Sequence, residues 1–235
     1  MLLIRERPSP NHDRRGTPPR VDMLVLHYTG MQSAEAALER LCDPQARVSA
    51  HYLIDEIGLI WRLVPEARRA FHAGISCWQG ERDLNLPSIG VEIVNPGHAW
   101  GYRPFPEAQM MAVEALCRDI LSRHPIPPSR IVGHSDIAPE RKTDPGELFD
   151  WARLAGAGIG IWPEPSPREN LPAADRARAI SGLETIGYHA VLPDAIPAIT
   201  AFQRRFRPSR VDGVLDADTA MRIREVCAAY ARSQA

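Results

Sequence analysis

Residues 21–30 read VDMLVLHYTG. Val21 to Tyr28 is a short apolar run that carries His27 at its end, the pattern of a buried strand. The same kind of segment recurs at Ser88 to Val94, which stops at the turn Asn95-Pro96-Gly97, and at Arg130 to Val132, which runs into Gly133-His134. Ser49 to Ile54 and Leu59 to Val64 flank Asp55-Glu56-Ile57-Gly58, a hairpin signature. Between the strands lie two helical patterns. Gln32 to Cys42 places Ala36, Ala37, Leu38 and Leu41 at helical spacing. Pro106 to Arg123 sets Met110, Val113, Leu116, Cys117, Ile120 and Leu121 on one face. Strands interleaved with helices predict an α/β fold, a central mixed β-sheet flanked by helices.

Outward from this unit the prolines mark boundaries. They number 22, a high share for a globular chain. Pro8, Pro10, Pro18 and Pro19 make residues 1–20 read as an irregular lead-in. Pro163, Pro165, Pro167 and Pro172 make 161–172 read as a semi-rigid linker. The expected organisation is a first domain over 21–160 and a small three-helix domain over 173–235. Its helices are placed at Ala173 to Ile186, Ala195 to Phe206 and Ala217 to Ala231, a marginal core for a unit of that size.

The 235 residues carry 28 basic and 29 acidic side chains, so no global field holds nucleic acid or an anionic membrane. Of the basic residues only Lys142 is a lysine. That raises the question whether chemistry at this position needs a compact ammonium rather than a guanidinium. Cys42, Cys77, Cys117 and Cys227 form no CxxC pair, which argues against a disulfide framework or a cysteine zinc site. The opening residues MLLIRERP offer four apolar residues before charge, where a secretory signal needs about 7–15. No run reaches the roughly 18 apolar residues of a membrane span. The expected compartment is the cytoplasm, with the periplasm as the alternative.

Two of the eight histidines stand out by position. His27 and His134 both sit at strand ends, and neighbouring strand ends in an α/β sheet converge on a crevice. Asp144 follows His134 by ten residues, in Thr143-Asp144-Pro145-Gly146. Alone it reads as a turn former; with two imidazoles it completes a well-precedented catalytic zinc set that leaves one position for water. Glu92, inside the strand Ile89-Gly90-Val91-Glu92-Ile93-Val94, is either structurally paired or has a task. A metal-activated water needs a general base, and a carboxylate among apolar neighbours suits that role. Lys142, two residues before Asp144, could stabilise the oxyanion formed when water attacks an amide.

Five stretches in order, LVLHYTG at 24–30, SAHYLIDEIGLIWRLVPE at 49–66, FHAG at 71–74, IGVEIVNPG at 89–97 and VGHSDIAPERKTDPG at 132–146, resemble the zinc-dependent N-acetylmuramoyl-L-alanine amidases of the type 2 class, related in fold to the peptidoglycan recognition proteins. The resemblance covers roughly residues 20 to 155. It implies that His27, His134 and Asp144 bind Zn2+, that Glu92 is the catalytic glutamate and that Lys142 is the transition-state lysine. It also implies the bond cleaved, the amide joining the lactyl group of N-acetylmuramic acid to L-alanine of a peptidoglycan fragment or muropeptide. Phe71 stands where the family often has Trp, and Glu140 where it often has Gly, both beside the site. His51 and His72 fall in matching motifs without a ligand role, and buried hydrogen bonding or pocket lining is expected of them. His12, His98, His124 and His189 are set aside as background.

Leu183, Ile186-Gly187-Tyr188, Ala201 to Phe206, Val211-Asp212-Gly213 and Asp218-Thr219-Ala220 resemble a peptidoglycan-binding three-helix module. The other reading is a helical appendage that only packs on the first domain. Arg204, Arg205, Arg207 and Arg210 also permit a nucleic-acid reading, but residues 171–235 hold 9 basic and 7 acidic side chains, too even for that partner. The competing function is a binding module of the same fold that recognises peptidoglycan without cutting it. Such relatives commonly lack the third metal ligand; this chain keeps Asp144 together with Glu92 and Lys142, which favours the enzyme. Whether the substrate is intact wall or a soluble anhydro-muropeptide stays open. The missing signal points to the fragment and the tail to the polymer.

Overall fold

The computed structural model describes residues 2–165, 175–189 and 194–233. In chain order the strands before the first helix are β1 (Ile4–Glu6), β2 (His12–Arg14) and β3 (Met23–Tyr28), followed by helix α1 (Ala34–Cys42). Then come β4 (Tyr52–Ile54), β5 (Ile60–Arg62), β6 (Arg68–Ala70), β7 (Cys77–Trp78), β8 (Glu81–Arg82) and β9 (Ser88–Ile93). A short helix α2 (Gly97–Trp100) and the long α3 (Glu107–Arg123) precede β10 (Ile131–Gly133), α4 (His134–Ile137) and α5 (Trp151–Gly156). The chain closes with α6 (Arg176–Ile186), α7 (Ile196–Phe206) and α8 (Ala217–Ser233).

Six strands form one mixed sheet in the order β1-β5-β4-β9-β3-β10, in which only the β4–β5 hairpin pair is antiparallel. The hairpin turns where it does because Asp55 Oδ1 accepts from the backbone N–H groups of Ile57 and Leu59. Gly58 supplies a φ of +83° there, against the carbonyl of Ala108, where a Cβ would collide. β3 alternates as a sheet buried on both faces must. Leu24 and Leu26 join the core under α3 and α5; Met23 and Val25 join the core under α4 and α6 to α8. On α3 the buried stripe is Met110, Val113, Leu116, Cys117 and Ile120, with Gln109 beside it, while Leu121 is only partly covered. Burial of Val113, Leu116 and Ile120 contributes about 1.5–3 kcal/mol each before chain entropy is counted. α1 opens on Ser33, whose side chain accepts from the Ala36 N–H, and buries Ala37, Leu38 and Leu41 in a third cluster.

Residues 1–20 are not an irregular lead-in. β1 lies on the edge of the main sheet, parallel to β5, and β2 pairs antiparallel with β6. Both are three charged-rich residues long, with no apolar alternation to announce them. Side chains hold the segment instead. Asn11 Nδ2 donates to the carbonyls of Asp43 and Val48, and Arg15, 3% exposed, donates to those of Glu66 and Arg68. Of the segment read as a linker, Ile161 and Trp162 pack against the core; residues 166–172, and the expected helix start at 173–174, lie outside the described residues. α6 is described from Asp175, whose side chain caps it by accepting from the Arg178 N–H.

The C-terminal helices share their core with the sheet. Leu183, Ile186, Tyr188, Ile199, Phe202 and Val226 form one apolar cluster with Met23, Val25, Trp78, Val132 and Ile137. The four cysteines are free. Among the described residues no helix is long and apolar enough to cross a membrane.

Candidate metal centre and catalytic cavity

The carboxyl ends of the parallel strands β9, β3 and β10 lie side by side, and there the fold assembles its polar cluster. In register His27 on β3 stands opposite Glu92 on β9. β10 ends at Gly133, opposite Leu26, so His134 starts α4 next to His27. The loop after α4 returns Asp144 to the same point. His27 Nδ1 is 2.8 Å from His134 Nδ1 and 3.1 Å from Asp144 Oδ2; His134 Nδ1 is 3.0 Å from that same oxygen. All three residues are buried.

The hydrogen bonds behind the two rings fix where their protons are. Ser88 Oγ donates to the Leu84 carbonyl, so it accepts from His72 Nε2–H at 3.1 Å. Burial holds His72 well below the usual imidazole range, so its ring is neutral and Nδ1 is an acceptor. His27 Nε2 must therefore donate to His72 Nδ1, 3.0 Å away. His27 is itself lowered to about 4, first by burial and then by the neighbouring His134, so its Nδ1 carries a lone pair. His134 Nε2 faces the Ala73 carbonyl at 3.1 Å, which requires N–H there and turns Nδ1 toward His27 and Asp144. Burial opposes ionisation of Asp144, but the adjoining His134 and His27 rings outweigh it and hold this carboxyl far below the usual carboxylate range. Two imidazole nitrogens and a carboxylate oxygen thus converge within 3.1 Å of one another, the spacing of side chains that share one cation. The donor set of two imidazole nitrogens and one carboxylate oxygen fits a catalytic metal of the zinc type.

A cavity of about 390 Å³ opens over this cluster, lined among others by Tyr28, Phe71, Glu92, Arg141, Lys142 and Thr143. Its size is that of a small-ligand site. Glu92 Oε2 has no accessible surface and no hydrogen-bond partner. Desolvation pushes the Glu92 carboxyl well above its ordinary range, Asp144 adds to this by repulsion, and the Lys142 ammonium opposes it. Two clamps hold the cavity floor. Arg141 Nη2 donates to the carbonyls of Ala73 at 2.5 Å and Ile75 at 2.6 Å, tying the 73–75 segment to the loop that carries Lys142 and Asp144. Tyr28 OH bridges Thr143 Oγ1 at 2.7 Å and His98 Nδ1 at 2.9 Å, and His98 Nε2 reaches Glu147 at 3.1 Å.

The five residues singled out from sequence, His27, Glu92, His134, Lys142 and Asp144, are thus brought to one place. Of His72 the sequence leads one to expect buried hydrogen bonding or pocket lining; it does both, and its link to His27 is what the sequence could not show. His98, set aside as background, belongs to the Tyr28 clamp. The arginine cluster on α7 and after it forms no basic face. Arg204 lies 3.6 Å from Glu147, Arg205 is paired with Asp136, Arg207 with Asp216 and Asp218, and Arg210 with Asp212 and Asp216.

Residues 16–147, which contain all five site residues, match the family model described as N-acetylmuramoyl-L-alanine amidase. The chain belongs to the N-acetylmuramoyl-L-alanine amidase family. Its activity is hydrolysis of the amide between the lactyl group of N-acetylmuramic acid and L-alanine. It is 41% identical over 226 residues to the N-acetylmuramoyl-L-alanine amidase AmiD of Escherichia coli K12, a match covering 86% of this chain and 80% of that one. It is 36% identical to the 1,6-anhydro-N-acetylmuramyl-L-alanine amidase AmpD of Haemophilus influenzae, over 63% of this chain and 89% of that one. The structure of E. coli AmiD with the substrate anhydro-N-acetylmuramic acid-L-Ala-D-γ-Glu-L-Lys superposes with a TM-score of 0.81 at 39% identity, over 90% of both chains. AmpDh3 of Pseudomonas aeruginosa with anhydromuramic pentapeptide gives 0.81 at 34% identity, over 95% and 96% of the two chains.

Proposed function

We propose that this amidase is a zinc enzyme that acts on anhydro-muropeptides, with zinc held by His27 Nδ1, His134 Nδ1 and Asp144 Oδ2. The observation that carries the zinc assignment is the convergence of those three buried donor atoms within 3.1 Å of one another. The substrate class is supported by the superposable AmiD and AmpDh3 complexes, both of which hold anhydromuramyl peptides.

Bound zinc supplies Lewis-acid charge that polarises the lactyl carbonyl and makes water a nucleophile near neutral pH. The Glu92 carboxyl, which lines the cavity, takes the proton of the attacking water and returns it to the departing amine of L-alanine. Its raised pKa suits both duties, because the same carboxyl must accept a proton and then release it. Lys142 brings its ammonium to the cavity and steadies the oxyanion of the tetrahedral adduct. His72 and the Ala73 carbonyl keep the ligand rings in the tautomer whose Nδ1 is free. Lys142 also draws Glu92 toward ionisation, so one cation serves both the base and the oxyanion.

The test is incubation of the zinc-loaded protein with a defined anhydromuramyl tripeptide, followed by mass spectrometry. Free tripeptide and intact anhydromuramic acid are expected. Cleavage at any other bond, or none, refutes the assignment.

A further inference from the structure

We infer that Arg205 and Tyr188, contributed by the C-terminal helical region, are positioning residues of the metal centre and act on His134 through Asp136. The inference rests on the proposed ligand role of His134. α4, which starts with that ligand, is a helix of four residues, too short to hold itself. Its turn is closed by Asp136, whose Oδ2 accepts from the Gly133 N–H at 2.8 Å. The Asp136 carboxylate is 1% exposed and is gripped from the other side of the core. Tyr188 OH donates to Oδ1 at 2.6 Å, and Arg205 Nη1 donates to Oδ2 at 2.6 Å.

Arg205 does more than neutralise that carboxylate. Its Nη2 donates at 2.9 Å to the Ile131 carbonyl in β10, so one guanidinium ties the strand leading into the turn to the turn itself. The guanidinium lies 4.1 Å from the ring centroid of Trp151 and is 1% exposed, which leaves it little freedom to move. From the opposite end, the Ser135 N–H donates to the Asp144 carbonyl at 2.8 Å. A shift of α4 therefore displaces His134 relative to Asp144, the two groups that must meet at one cation. Burying an ion pair is a poor way to gain stability, since apolar side chains of the same volume do as well. Fixing the direction of a ligand-bearing turn is a task that apolar packing performs less well, and here it falls to residues more than fifty positions away in sequence.

The test uses the full chain and Tyr188→Phe, Arg205→Met and Arg205→Lys. Three quantities are read: the Zn2+ dissociation constant by chelator competition, the visible absorption of the Co2+-loaded protein, and Tm. Tyr188→Phe and Arg205→Met are expected to weaken Zn2+ binding about tenfold and to alter the Co2+ spectrum, with Arg205→Lys recovering part of the loss. Val226→Ala, in the same apolar cluster but unable to hydrogen-bond to Asp136, should lower Tm and leave both metal readouts unchanged. The inference is overturned if folded Tyr188→Phe and Arg205→Met bind Zn2+ within twofold of the parent with its Co2+ spectrum. It is also overturned if Val226→Ala weakens binding as much as they do. Should Arg205→Met fail to fold, Tyr188→Phe decides alone. A parent chain that binds no Zn2+ would instead remove the metal-site reading on which the inference rests.

Discussion

Glu92 stands directly opposite His27 across the β9–β3 ladder, so the carboxyl that lines the cavity and the His27 ring sit at neighbouring strand ends. The pairing places the proposed proton acceptor beside the proposed metal ligands. Glu92→Gln keeps the shape of the side chain and removes its basicity. The variant should hold zinc with parent affinity while kcat falls at least about a hundredfold. Turnover within a factor of two of the parent would remove Glu92 from the general-base role.

Lys142 is the only lysine of the chain and lines the cavity beside Glu92. A compact ammonium on a flexible stem approaches a single oxyanion, where a planar guanidinium is broad and prefers two acceptors. Lys142→Arg therefore keeps charge, fold and zinc content but should lose about tenfold or more in kcat. An Arg variant at the parent rate would return this lysine to a quirk of composition.

Three buried neutral histidines make the metal-free chain acid-sensitive. His27 is lowered to about 4 and His51 to about 3, each chiefly by burial, and burial also holds His72 well below the usual imidazole range. The unfolded chain binds protons at these rings near pH 6.5 and the folded chain does not, so stability falls as pH drops below about 6.5. His27 alone should cost on the order of 3 kcal/mol by pH 4. Glu92 works in the opposite sense, because a raised carboxyl pKa makes the folded chain bind a proton earlier than the unfolded one. Measuring Tm in metal-free Glu92→Gln removes that term. Tm should fall continuously from pH 7 to pH 4.5, and a flat profile would contradict the buried neutral rings.

Gly90 on β9 has the His72 ring against it: a Cβ there would lie 2.4 Å from His72 Cγ. The backbone cannot retreat, since the Gly90 N–H donates to His51 Nδ1 and the Gly90 carbonyl accepts from the His51 N–H. Gly90→Ala should cost about 1–3 kcal/mol from overpacking and weaken zinc binding by displacing His72 from His27. Thermal melts and chelator competition check both effects; parent values for both would mean that His72 is not held as described.

The sequence made the strand ends legible, because His27 closes one apolar run and His134 follows another. Asp144, Glu92 and Lys142 were each ambiguous when taken singly, as a turn former, a buried carboxylate and a cation, and gained roles through the ordered motifs around them. What stayed hidden depends on tertiary placement. β1 and β2 are short charged strands held by Asn11 and Arg15, which no periodicity reveals. Asp136 lies inside the quoted stretch 132–146, but its partners Tyr188 and Arg205 come from the C-terminal helices. Arg205 reads in the sequence as one of a local cluster of four arginines and is among the most deeply buried large side chains.

The most direct test of the metal assignment is a titration of the metal-free protein with Zn2+, scored by release of peptide from an anhydromuramyl tripeptide. Activity should be absent at the start, rise in proportion to added Zn2+ and level off at one ion per chain, while Asp144→Ala stays inactive throughout. Full activity in the metal-free protein, or an Asp144→Ala variant that titrates like the parent, would contradict the account.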